Sequence, residues 1–114
     1  MSLFNYLPVI IAAGQSLSAE IGIGDGTLCG IYMPAVWTAA GLTFQVSPDD
    51  VAWYEHSNSA GIATTVVASA GQFLAVDPTL WRGVNLLKVR SGTLAAPVNQ
   101  AAGVTLTLVA RRLF

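Results

Sequence analysis

The sequence predicts an all-β protein: an antiparallel β-sandwich, or jelly roll, of eight or nine short strands. Three observations carry this. Apolar residues recur at every second position through most of the chain, the period of a half-buried strand. The alternating segments are rich in Val, Ile, Thr and aromatics, which fit a pleated surface better than a helix. Turn sequences separate them, and no segment of helical length carries a helical period.

Taken in order, residues 7–13 read as the first strand. No Lys or Arg precedes this apolar run and Pro8 interrupts it, so it lacks the pattern of a secretory signal. It also falls far short of the roughly 20 residues a membrane-spanning helix needs. Ahead of it Phe4, Tyr6 and Leu7 are apolar, so residues 1–7 read as an extended N-terminal arm. Such an arm suits strand addition to a neighbour's sheet, and equally suits covering the chain's own core. Next, Leu17, Ala19, Ile21 and Ile23 share one face, with Ser16, Ser18, Glu20 and Gly22 on the other. Gly24-Asp25-Gly26 supplies a tight connection to an apolar strand over residues 28–33.

Residues 36–40 read as a helical turn. Leu42, Phe44 and Val46 then alternate with Thr43, Gln45 and Ser47, and Ser47-Pro48-Asp49-Asp50 reads as a type I turn. Strands are expected over residues 52–56, 62–68, 72–76 and 84–90, with a looser loop over 57–61. Residues 77–81 read as a second helical turn, with Asp77 as N-cap and Pro78 in the first helical position. Val104, Leu106, Leu108 and Ala110 alternate with Thr105, Thr107, Val109 and Arg111 in the last strand. The expected core is Leu17, Ile21, Leu42, Phe44, Val46, Leu106 and Leu108. Trp37, Trp53 and Trp81 are spread along the chain like core anchors, although the Trp37 loop equally suits contact with a neighbouring subunit.

Composition bears on function. The chain has five basic and six acidic residues among 114, whereas 54% are hydrophobic. An ordinary soluble domain carries about 25% charged residues. One domain spanning residues 1–114, with one core, accommodates this length. So little charge implies that part of the outside is covered by copies of the chain or by another protein. A net charge of -1 argues against nucleic acid as a partner, because phosphates need a basic footprint. The lone cysteine, Cys29, rules out an internal disulfide and a multi-cysteine metal site, and its apolar surroundings make it an inert thiol.

No constellation carries chemistry, so no enzyme activity, catalytic residue, metal site or cofactor is expected. His56 is the only histidine, and Glu55 points to the opposite face of the same strand. No Gly-x-Ser-x-Gly elbow is present. Asp49, Asp50, Glu55 and His56 lie near one hairpin but lack the spacing of a calcium loop, so turn chemistry accounts for them. Gly22-Ile23-Gly24-Asp25-Gly26 matches no phosphate-binding fingerprint. Lys88 and Arg90 share a polar face near Arg82, which makes either a basic patch or a set of cross-strand pairs with carboxylates.

Several stretches resemble small virion structural proteins of tailed bacteriophages. They are Met33-Pro34-Ala35-Val36-Trp37-Thr38-Ala39-Ala40-Gly41-Leu42-Thr43-Phe44-Gln45-Val46-Ser47, Leu86-Leu87-Lys88-Val89-Arg90-Ser91-Gly92-Thr93, Pro97-Val98-Asn99-Gln100-Ala101-Ala102 and Thr105-Leu106-Thr107-Leu108-Val109. The strand, turn and Trp-bearing strand at residues 42–53 are also similar to galactose-binding-like jelly rolls. Those hairpins commonly carry Asp-Gly where this chain has Asp49-Asp50. The resemblance implies a capsid decoration or cement protein, made in the host cytoplasm and placed on the capsid surface. Its partners would be the major capsid protein and further copies of itself, with a trimer suggested by the three-fold positions of a capsid lattice; neither nucleic acid nor membrane is implied. Contacts are expected at Phe4, Tyr6 and Leu7, at Trp37, and in the loop bearing Pro97. Two alternatives remain: a carbohydrate-binding module of a fibre or spike, with Trp37 or Trp53 as platform, and a neck or tail adaptor.

Overall fold

The computed structural model describes residues 4–112. Eight strands form: β1 (Phe4–Ile11), β2 (Ile21–Gly22), β3 (Thr27–Tyr32), β4 (Leu42–Ser47), β5 (Tyr54–Glu55), β6 (Phe73–Ala75), β7 (Leu86–Ser91) and β8 (Val104–Arg111). A single 3-10 turn, Pro78–Trp81, separates β6 from β7. The strands make two antiparallel sheets, a first of order β1-β8-β3-β6 and a second of order β2-β7-β4-β5. β1 pairs with β8, β2 with β7, β3 with β6 and β4 with β5, as in one long ribbon folded at its middle. The ribbon then wraps on itself, adding the β3–β8 and β4–β7 ladders. That is the strand order of a jelly roll.

The core lies between the sheets. Val9, Ile11, Leu28, Ile31, Leu106 and Leu108 come from the first, and Leu42, Phe44, Leu87 and Val89 from the second. Trp81 enters from the 3-10 turn, wholly buried. Its ring meets Phe44 edge-on at 4.8 Å and stacks on His56 at 4.1 Å. Among the described residues its Nε1 is a buried donor without a partner, a cost of about 1–3 kcal/mol set against burial of the whole indole. The Asp77 cap forms as expected: its carboxylate accepts from the Thr79 N–H at 3.0 Å, and Pro78 follows it.

The structure revises several elements. Residues 4–7 of the expected arm belong to β1, matched residue by residue to β8 from Phe4 opposite Arg111 onward; residues 1–3 lie outside the described part. The strand expected around Leu17 is reduced to a bridge from Leu17 to Arg90 and the two residues of β2. The register slips by one residue between them, and Ser18 fills the gap by accepting the Val89 N–H on its side-chain oxygen at 2.9 Å. The slip breaks the alternation, so Leu17 is half-buried and stands outside the core, while Ile21 and Val46 are half-buried against it. Residues 62–68 form no strand: bridges from Ala63 to Ser57 and from Val66 to Leu42 hold them, with Thr64 Oγ1 on His56 and Val66 packed on the core.

Residues 36–40 form bends rather than a helical turn. The buried Gln100 amide holds this segment by accepting from Thr38 N–H at 2.8 Å and donating to Thr38 C=O at 3.0 Å. The Ser47–Asp50 turn opens a longer loop, in which Ser47 Oγ accepts the Asp50 N–H and Asp49 accepts from Val51 and Ala52. Asp50 takes the positive φ, 63°, that glycine holds in an Asp-Gly turn.

Candidate interaction surface

The two outer faces of the sandwich divide the chemistry unequally. Alternation along β1 puts Val9 and Ile11 in the core and Phe4, Tyr6, Pro8 and Ile10 outside. The register sets Tyr6 beside Val109 and Gly30, and Pro8 beside Thr107, Tyr32 and Phe73. Phe4, Tyr6, Ile10, Tyr32 and Phe73 are each between 40% and 60% exposed. Arg111 is the single charged strand residue on this face, and its guanidinium lies 5.4 Å from the Phe4 ring centre. The first sheet therefore presents a broad aromatic and aliphatic surface edged by one cation.

Gly30 shapes its centre. A Cβ at Gly30 would fall 2.4 Å from the Phe73 ring, so the missing side chain lets that ring lie across β3. Tyr32 packs beside it, with ring centres 4.6 Å apart. Aromatic cover over a strand glycine replaces the side chain that the glycine lacks.

The outer face of the second sheet is polar and internally paired. Arg90, although 4% exposed, reaches Glu55 with both terminal nitrogens and donates from Nε to Thr43 Oγ1 at 3.0 Å. Glu55 also accepts from Gln45. The hydrogen bonds from Arg90 hold the Glu55 carboxyl below the usual carboxylate range, against the opposing effect of partial burial. Lys88 lies over the Trp53 ring at 4.3 Å, and Arg82 is exposed. Cross-strand pairing thus absorbs Arg90, and the three basic residues do not form a patch.

The remaining polar residues are engaged locally. His56 donates from Nε2 to the Leu80 carbonyl at 2.7 Å, and its Nδ1 lies 2.7 Å from Thr64 Oγ1, which fits a core histidine. Backbone donors from Ala52 and Val51 lower Asp49, and the hydrogen bonds of Thr79 lower Asp77. A hydrogen bond with Asp50 raises Glu20, whose carboxyl faces that like-charged neighbour. Cys29 is half-buried, its thiol donates to the Val109 carbonyl, and desolvation raises its pKa. Among the described residues no three His, Cys, Asp or Glu side chains converge as a metal site would require.

Of the five residues singled out from sequence, the structure places Phe4 and Tyr6 on the apolar face. Leu7 points inward and packs on the core. Trp37 also packs on the core, with its Nε1 donating to the Ala40 carbonyl at 3.1 Å. Pro97 is exposed in a loop at the far end of β7, bridged to Gly92. Sequence reasoning missed Ile10, Tyr32 and Phe73. The signal was present in Tyr32, an aromatic within the apolar run 28–33, but only the β3–β6 register shows that Phe73 joins it.

No protein-family model and no curated protein matches the chain. Among solved structures the chain is similar to the crystal structure of the SPBc2 prophage-derived protein YomS. The two share 11% sequence identity, 96% of each chain is covered, and the TM-score is 0.56. At that identity the likeness establishes a shared fold: the two-sheet architecture extends over nearly the full length of both chains.

Proposed function

We propose that this chain is a bacteriophage virion structural protein, a decoration or cement protein that docks on the capsid surface and strengthens the head without catalysis. The observation that carries this reading is the exposed outer face of the first sheet, with Phe4, Tyr6, Ile10, Tyr32 and Phe73 and the single charge of Arg111. Contiguous apolar surface of this kind marks protein interaction sites. The prophage origin of the structural neighbour supports a phage source, and jelly rolls serve in viral capsids. In this reading the major capsid protein faces the aromatic sheet. The chain acts as a homo-oligomer, with a trimer matching the three-fold positions of a capsid lattice.

The test is to locate the protein in density of particles assembled with and without it. Additional density on the capsid surface, and DNA release at lower temperature from the depleted particles, is the expected result. Exchanging Tyr32 and Phe73 for Ser is expected to lower occupancy at least tenfold while the isolated chain stays folded. Density confined to fibres, with binding on a glycan array, would assign the chain to sugar recognition instead. The two aromatics suited to that role are already engaged, Trp37 by the core and Trp53 by Lys88.

A further inference from the structure

Among the described residues the first sheet is bounded by β1 on one side and β6 on the other, with no further strand paired outside either. Which backbone groups face outward follows from the alternation of an antiparallel ladder. Met33 N–H donates to Gln72 and Val76 N–H donates to Cys29, so residues 72, 74 and 76 face β3. Phe73 and Ala75 therefore turn their N–H and C=O groups to the free edge. Across β3, Gly30 and Tyr32 face β8 and meet Val109 and Thr107. Leu106 and Leu108 then face β1, where they hold Val9 and Leu7. Tyr6, Pro8 and Ile10 are left facing outward. Pro8 fits this parity, because a residue without N–H breaks no ladder bond at an edge.

We propose that copies of this chain join head to tail, with β1 of one copy adding as a strand to the free edge of β6 in the next. β1 and β6 run antiparallel within the sheet, as three successive antiparallel pairings require. Rotation about an axis parallel to the strands preserves that relation between copies, so the added ladder continues the antiparallel pattern. Heterologous contacts of this kind close into rings when the rotation between copies divides a full turn, and otherwise run on as filaments. A groove of about 470 Å³ runs along the outside of β6, lined by Phe73, Ala75 and Leu80 on one side and by Thr65 and Val67 on the other. Val66 exchanges both backbone bonds with Leu42, so Thr65 and Val67 face away from β4.

The charges agree with this occupant. β1 carries no charged side chain. The groove is lined by one, Asp77, which already accepts from Thr79. An apolar strand thus enters an apolar groove without stranding a charge. With Tyr6 opposite Ala75 and Pro8 opposite Phe73, every ladder bond forms except the one Pro8 cannot donate. The aromatic outer faces of successive copies become one surface. The inference rests on the homo-oligomeric part of the reading above, not on where in a particle the protein acts.

Two measurements test it. Sedimentation of the native protein is expected to show a concentration-dependent closed oligomer, and Ala75→Pro to weaken association at least tenfold without lowering the thermal midpoint. In a Cys29→Ala background, Tyr6→Cys chains mixed with Ala75→Cys chains are expected to form covalent dimers under mild oxidation. Register partners of a hydrogen-bonded pair stand about 5.5 Å apart at Cα, within disulfide reach. The proposal is overturned if the native chain stays monomeric at every soluble concentration, or if the mixture does not cross-link. Tyr6→Cys chains pairing with themselves as readily, which means a two-fold contact, overturn it equally. Should Ala75→Pro fail to fold, the cysteine pair still decides. A chain that assembles this way yet is absent from particles leaves this inference standing and removes the virion reading.

Discussion

Arg90 is the residue on which the second sheet's polar face depends. It is almost fully buried, and Glu55 and Thr43 satisfy it. Removing one partner of a wholly buried ion pair costs roughly 3–5 kcal/mol, because the other charge is left unpaired. The Glu55 side chain is 27% exposed, which lets water screen the remaining guanidinium. Glu55→Ala is therefore expected to cost about 2 kcal/mol at pH 7 in urea unfolding. Because folding lowers the Glu55 pKa, its contribution is fully present above about pH 4.5 and is lost as pH falls through the lower folded value. The variant should show a shallower acid limb in stability against pH. A limb as steep as the native protein's would mean that other carboxylates, such as Asp49 and Asp77, set it. Gly30 offers a second residue-level test. Gly30→Ala should cost about 1 kcal/mol by displacing the Phe73 ring, and most of that cost should vanish in a Phe73→Ala background, as a double-mutant cycle would show.

At the scale of elements, loops are held here by single side chains that imitate a strand. The Gln100 amide joins Thr38 to Ser91 and so fastens the Trp37 segment to the sandwich. Gln100→Ala would leave the Thr38 N–H and C=O unpaired in partly buried surroundings, at a cost of about 2 kcal/mol. Hydrogen exchange should then report faster opening at Thr38 and Ala101, with β8 unchanged; equal protection at Thr38 would show that the segment is held from elsewhere. Ser18 does the same for the ragged stretch before β2, where a hydroxyl takes the place of a backbone carbonyl. Such substitutions explain why the chain alternates so regularly in sequence yet has strands as short as two residues.

At the scale of the whole molecule, the first and last strands are partners. Phe4 stands opposite Arg111, so the first sheet cannot close until β8 has been made. Long-range pairing of this kind belongs with folding in milliseconds to seconds. It also brings the described ends together. A circular permutant that joins the ends by a short Gly/Ser linker and opens the chain within residues 58–61 is expected to fold to the same two sheets. Circular dichroism and a retained thermal midpoint, within a few degrees, would confirm it. Loss of cooperative unfolding would show instead that the hairpin around residues 57–63 is needed to seat His56 against Trp81.

The sequence by itself determined the fold class, the strand-rich order, the Asp77 cap and the central core residues Leu42, Phe44, Leu106 and Leu108. These follow from local rules, since period-two burial and capping act over a few residues of chain. Its composition also pointed to an outside poor in charge and rich in apolar residues. Only the tertiary structure decided which surface that is, because Phe4, Tyr6, Ile10, Tyr32 and Phe73 become neighbours through the β1–β8–β3–β6 register. The same holds for Arg90. Its alternation with Val89 placed it on a polar face, but whether it met solvent or a carboxylate depended on β5 crossing beside β4. Leu17 went astray for the complementary reason: a one-residue slip, not visible in local pattern, sets where its side chain lies.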